Sequence, residues 1–369
     1  MTPDRLGRLT AAAAAAGLDA LGVVPGPNLI YLTGMSFHLS ERPVMAFFPV
    51  AGTPVLVVPA LEETKARGAP FECRVVTYDD DAGPRAGFAA ALGDLAPGER
   101  WLGVEGRRIR YLELELMGSS GHPPHIFDAD VLFADLRLRK DADEVARIRR
   151  AVVIAETAFT ATLPALRPGV SEREVAAELV IQLLRAGSDA EIPFAPIVAS
   201  GTNGALPHAV PTDRRLEPGD VVTLDWGATF EHYASDITRN VVVAGAPPHP
   251  DLVRAHEIVR AANEAGRGAS GPAHSGADVD RAARSVIAAA GLADCFPHRT
   301  GHGLGLEGHE EPQAKATNLA PLLPGMVFTV EPGVYLPGLG GVRIEDDVVV
   351  TASGAETLTT LSRDLLSAG

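Results

Sequence analysis

Cysteine is nearly missing from this chain. Cys73 and Cys295 are the two among 369 residues, and they form no disulfide framework. That fits a reducing, cytoplasmic setting. Positive charge is also short: Lys and Arg number 32 against 47 Asp and Glu, a formal net charge of −15. Such a balance disfavours nucleic acid and anionic membrane surfaces as partners. No apolar run reaches the roughly 18 residues needed to read as a membrane span. The alanine-rich TAAAAAAGLDALGVV has a superficial likeness to a signal segment, but Asp4 precedes it and Asp19 interrupts it. It reads instead as a helix over 3–17 that leads into a strand. There is no short-period repeat and no low-complexity linker.

What is present is ordinary globular material, 46% hydrophobic and 21% charged, in a length that suits two domains. Residues 1–135 alternate strand-like runs (ALGVVPG, VMAFFPV, PVLVVP, CRVVTYD, WLGVEG) with helix candidates at 61–67, 84–95 and 109–118. Residues 136–369 open differently. Asp141 with Glu144 and Ser171 with Glu174 are capping boxes, each followed by apolar positions at helical spacing, and Gly187 ends the second helix. A second helix pair is expected at 250–266 and 276–290. Two helix pairs, each preceding strands, suggest helices wrapped on a curved antiparallel sheet.

The chemistry concentrates in DWGATFEHYASDITR, starting at Asp225. VVTLDWG and DITRNVVVAG read as strands rich in β-branched residues, and a short excursion joins them. Folded back, they put Asp225 and Asp236 close together, roughly 5 Å apart at Cβ as near cross-strand neighbours. Buried carboxylates that face each other repel unless a cation lies between them. Further ligands follow in order: His302 in HRTGHGLGLEGHEEP, Glu331 in FTVEPGVY and Glu345 in GVRIEDDVVV. An oxygen-rich set with a single imidazole suits hard or borderline divalent ions, not a structural zinc site.

The order D…D…H…E…E, in the contexts DWG, YASDITR, TGHGLG, VEPG and GVRIED, resembles the pita-bread dinuclear metallopeptidases. The match covers most of residues 145–360. SGTNGALPHAVP resembles the proline-directed branch, with Thr202 in place of the commoner Pro, and Gly308 stands where an apolar residue is usual. PNLIYLTGM with GVEG is a looser match to a creatinase-type N-terminal domain. The resemblance implies an α+β protein. A smaller α/β creatinase-like domain at 1–135 would precede a pita-bread catalytic domain at 136–369.

By the same resemblance Asp225 would chelate one ion and His302 the other, with Asp236 and Glu345 bridging and Glu331 completing the set. The pair of divalent ions would be Mn first, with Co or Zn as alternatives. Glu331 would also be the general base for a metal-bridging hydroxide that cleaves the bond before proline in Xaa-Pro dipeptides. His208 and His309 would act on the scissile carbonyl or shuttle a proton. Phe194 would wall a pocket for the proline ring, and Tyr233 and Arg343 would stand behind the ligands. Arg42 would clamp the carboxylate of a dipeptide. His122 and His298, with the other histidines, read as surface or loop residues. Partners would be small peptides with proline second, and the chain would form a homodimer. The alternatives are an aminopeptidase P acting on longer Xaa-Pro-Xaa peptides, a metal-free creatinase-like hydrolase, and a non-catalytic pita-bread binding protein.

Overall fold

The computed structural model describes residues 3–95, 100–121 and 123–368, so His122 lies outside the described residues. The chain divides into two compact units, 1–137 and 138–369.

In the first unit six strands form one mixed sheet, in the order Arg74–Tyr78, Val55–Pro59, Met45–Pro49, Ala20–Val23, Trp101–Val104, His125–Asp128. Met45–Pro49 runs antiparallel to both neighbours, and the other pairings are parallel. Its central strands read as continuous apolar runs because both sheet faces are covered. Met45, Phe47, Val57 and Leu102 pack with Phe88 and Leu92 of helix Arg85–Asp94 and Met117 of Tyr111–Gly118. Two helices, Pro27–Thr33 and Asp130–Arg137, and the last strand were not read from the sequence. Each is short and lacks a clear period.

In the second unit both capping boxes form. The Asp141 and Ser171 side chains accept from the amides of Glu144 and Glu174, opening helices Ala142–Thr162 and Glu172–Ala186. The second helix closes on Gly187 at φ 101°, a left-handed cap that glycine adopts without strain. These helices pack together, as do Pro250–Gly268 and Gly276–Ala289. Ile148, Val152, Phe159, Leu179, Leu224 and Trp226 build the main core. The strands form a four-stranded sheet (Leu366–Ala368, Ile237–Val243, Val221–Trp226, Ile197–Ala199) and a five-stranded one (Glu310–Ala314, Gly301–Gly303, Val327–Val330, Asp346–Val350, Ala355–Thr357). One parallel pairing, of Leu366–Ala368 with Ile237–Val243, departs from the expected antiparallel rule. A single rung between Thr238 and Glu345 joins the two sheets. No helix among the described residues is long and apolar enough to cross a membrane.

Candidate metal centre

Strand Val221–Trp226 is buried along its whole length, and strand alternation turns Trp226 and Asp225 to opposite faces. The Trp226 indole donates to the Ala155 carbonyl at 3.0 Å and stacks on Phe159, on the helix side. Asp225 is left facing away from helix Ala142–Thr162. Thr238 stands opposite Asp225, and Ile237 opposite Trp226. Asp236 is therefore a diagonal neighbour of Asp225 rather than the residue directly opposite it. The reason is the excursion, which pairs with itself: Thr229–Phe230 bonds Tyr233–Ala234 across Glu231 and His232 at φ 46° and 71°. Asp236 emerges from that small hairpin two residues before Thr238. A two-residue offset preserves the face, so the carboxylates still converge.

The other candidate ligands come from the five-stranded sheet. His302 lies within Gly301–Gly303, Glu331 directly follows Val327–Val330, and Glu345 directly precedes Asp346–Val350. Ligand atoms of Asp225, Asp236 and Glu345 lie within 4.8 Å of one another, as do those of His302, Glu331 and Glu345. His302 Nε2 is 3.4 Å from Glu331 Oε1 and 3.7 Å from Asp236 Oδ2. All five residues singled out in the sequence thus meet in one cluster.

The cluster fits a pair of divalent ions. Burial, reinforced by the neighbouring carboxylates, holds Asp236 and Glu345 well above the usual carboxylate range. Burial pushes Glu331 up to about 7. Burial also holds His302 well below its ordinary value, so its ring is neutral with a lone pair to give. Asp225 Oδ1 is buried with no hydrogen-bond partner. Like charges at this spacing and an orphaned oxygen call for cations, and the donor set is that of hard or borderline metals.

Arg343 braces the cluster. Its Nη2 donates to Asp225 Oδ2 at 2.5 Å, its Nε to Thr238 Oγ1 at 3.2 Å, and its Nη1 to the Tyr335 hydroxyl at 2.7 Å and the Pro207 carbonyl at 3.1 Å. Thr238 Oγ1 in turn donates to Glu345 Oε2 at 2.7 Å. Asp347 was not foreseen. It is fully buried, and its Oδ2 accepts from the Asp236 amide at 3.1 Å. Tyr233, expected beside the ligands, sends its hydroxyl to Glu144 Oε1 at 2.8 Å and so ties the excursion to the first helix of the unit.

A cavity of about 820 Å³ opens over the cluster. Its lining includes Phe194, His208, His298, Arg299, His309 and Lys315. The His309 ring lies 3.8 Å from that of His302, and burial followed by the Arg299 charge lowers its pKa. His298, read from sequence as an ordinary loop residue, is a lining residue. Its Nε2 is 2.9 Å from the Tyr335 hydroxyl, and burial lowers its pKa to about 4. The one signal for it is its place in the same HRTGH stretch as His302. Arg42 belongs to the first unit and is already engaged: it forks onto Asp80 at 2.9 and 2.8 Å and reaches Glu41 at 2.6 Å. A terminal carboxylate would have to compete with Asp80 for it.

Comparisons with known proteins bear on the family and the fold. Residues 146–352 match the model for metallopeptidase family M24, and residues 5–139 match the creatinase/prolidase N-terminal domain. A prolidase from Thermococcus sibiricus superposes with a TM-score of 0.92 at 33% identity, covering 98% of both chains. An Xaa-Pro dipeptidase from Bacillus anthracis gives 0.90 at 32%, over 99% of each chain. An X-Pro aminopeptidase from Thermotoga maritima gives 0.85 at 31%, over 98% of this chain and 99% of the other. The buried carboxylate cluster, the pita-bread fold around it and the creatinase-type unit before it have one common explanation: this chain is an enzyme of metallopeptidase family M24.

Proposed function

We propose that the enzyme hydrolyses the bond before proline in Xaa-Pro dipeptides, using two divalent ions, with Mn the first choice. The observation that carries this is the make-up of the cavity. The lining combines the carboxylates Asp225, Asp236, Glu331 and Glu345 with apolar Phe194, Ala195, Ile197 and Pro207 and with two cations, Arg299 and Lys315. The apolar residues suit a proline ring, and a cation suits the free carboxylate that directly follows proline in a dipeptide. Prolidases and an Xaa-Pro dipeptidase among the structural neighbours support the reading.

Asp225, Asp236, His302, Glu331 and Glu345 would hold the ions, which when bound supply Lewis acidity and make water acidic enough to attack at neutral pH. Asp225, Asp236 and Glu345 would form one group of ligands and His302, Glu331 and Glu345 another, so Glu345 would be shared between them. Glu331 takes the proton of the attacking water and returns it to the prolyl nitrogen as the C–N bond breaks. His208 and His309 hydrogen-bond the scissile carbonyl as charge develops on its oxygen. Arg343 fixes Asp225, so one ligand carboxylate keeps its direction throughout. The enzyme works as a homodimer.

A second reading, aminopeptidase P action on Xaa-Pro-Xaa peptides, is favoured by the Thermotoga maritima neighbour. One experiment separates them: hydrolysis of an Xaa-Pro dipeptide and of a tripeptide with the same first two residues, after chelation and metal replacement. The dipeptide should be cleaved faster, and only after metal is restored. Faster tripeptide cleavage selects the second reading, and full activity in metal-free protein removes both.

A further inference from the structure

His208 stands on an irregular stretch, 206–212, of the loop SGTNGALPHAVPT, and it is exposed. Something other than packing must aim its ring into the cavity. The loop closes on one buried carboxylate, that of Glu172, the first residue of helix Glu172–Ala186 and wholly inaccessible to solvent. Oε1 accepts from the Ser200 amide and hydroxyl, both at 2.7 Å. Oε2 accepts from Asn203 Nδ2 at 2.8 Å, the Thr212 amide at 2.9 Å and the Thr212 hydroxyl at 2.7 Å. Both ends of the loop, 200 and 212, are thereby pinned to the same group. Asn203 Nδ2 also donates to the Val210 carbonyl at 3.1 Å, across the loop.

Near the tip, the Pro207 carbonyl accepts from Arg343, the guanidinium that holds Asp225. The 3₁₀ turn Gly201–Ala205 rests directly on strand Gly340–Arg343. A Cβ on Gly341 would lie 2.3 Å from the Gly204 carbonyl oxygen. Helix capping does not explain Glu172, because Ser171 and Glu174 already form the cap. What it does satisfy is a ring of donors facing inward from the loop. An ionised carboxylate is the side-chain group that accepts from all of them and offers no donor of its own.

We infer that Glu172 is a positioning residue for His208: its carboxylate sets the shape of loop 200–212 and so the direction of the ring over the ligand cluster. This rests on the reading that His208 acts on the substrate. Glu172→Gln keeps size but turns an NH₂ group toward donors of the loop, so part of the ring must open.

The test is a double-mutant cycle in the full-length, Mn-loaded enzyme, with Glu172→Gln, His208→Ala and the pair. Activity on an Xaa-Pro dipeptide, metal content and amide hydrogen exchange are measured for each. Glu172→Gln alone should lower kcat about ten- to a hundred-fold, the size of effect a displaced catalytic group produces. Metal content should stay at the wild-type level, and exchange should quicken in 200–212 alone. Added to His208→Ala, it should cause no further loss. Losses that multiply in the pair, or unchanged exchange in the loop, overturn the inference. If Glu172→Gln does not fold, Thr212→Val removes one donor and enters the same cycle, with an expected loss of about two- to five-fold. Should the wild type fail to cleave Xaa-Pro peptides with metal bound, the functional reading falls, and the exchange arm still decides whether Glu172 holds the loop.

Discussion

Asp346 and Asp347 are neighbours on one strand, both fully buried, and they live under opposite electrostatics. Burial would raise Asp346, but Arg239 at 2.7 Å, Arg363 at 2.7 Å and Arg267 at 3.5 Å overcome it and hold the carboxyl below its usual value. Asp347, turned to the other face, meets the Asp236 amide, keeps Oδ1 without a partner, and is held well above the usual range by burial. Asp346 has three arginines from its own chain. On the other side Arg343 reaches Asp225 alone, and Asp236, Glu345 and Asp347 have no arginine or lysine within ion-pair reach among the described residues. Total charge and composition cannot distinguish the two, because both faces draw on the same residue types.

The largest effect should come from breaking the open face. On the bridging assignment proposed from the sequence, Glu345→Ala or Asp236→Ala would take a ligand from both ions, so activity should fall about a thousand-fold or more, roughly 4 kcal/mol in barrier. Metal analysis should show ions lost; normal metal content with normal turnover would undo the assignment. Breaking the closed face should act on stability instead. Arg239 also bonds the carbonyls of Glu345, Leu361 and Ser362. Arg239→Ala should therefore destabilise by about 3–5 kcal/mol in urea titration, with turnover per bound metal unchanged in the folded fraction.

Two buried groups, Glu331 at the cluster and His256 on helix Pro250–Gly268, should also differ in the sign of their pH response. In metal-free protein Glu331 sits at about 7 against an ordinary 4.5, so the native state retains its proton longer than the unfolded one. Stability of the metal-free form should fall as pH rises from about 4.5 to 7, by up to about 1.4 kcal/mol per unit, and saturating metal should abolish that slope. His256 shows the reverse. Burial and then the Arg260 charge lower it from 6.5 to about 4, so the unfolded chain takes the extra proton. Stability should fall as pH drops from 6.5 towards 4, and His256→Asn should make that acid loss shallower in pH-dependent melting. Equal slopes in variant and wild type would remove His256 from the account.

The capping boxes, the helix pairs and the gathering of five ligand candidates were legible because each has a local signature: a residue type at a fixed spacing, or a carboxylate in an apolar run. The diagonal register of Asp225 and Asp236 was not legible, since it depends on how many residues the Thr229–Ala234 hairpin consumes. Glu172, Asp347 and Arg239 looked like ordinary charges in the sequence. Their roles come from partners 28 to 123 positions away, which no local pattern encodes.

The ligands come from two sheets that share one rung, at Thr238 and Glu345. Asp225 lies in one and Asp236 directly precedes a strand of it; His302 lies in the other, and Glu331 and Glu345 directly flank its strands. Ions held by the proposed ligand set would act as rivets between sheets, and metal affinity would then add to the stability of the domain, by about 2.7 kcal/mol at a hundred-fold excess over Kd. The rivet also has a schedule. A chain emerging from the ribosome carries Asp225 and Asp236 long before Glu345 exists, and the N-terminal unit can fold in that interval. The candidate ligand set is completed only once Glu345, 120 positions after Asp225, has been made.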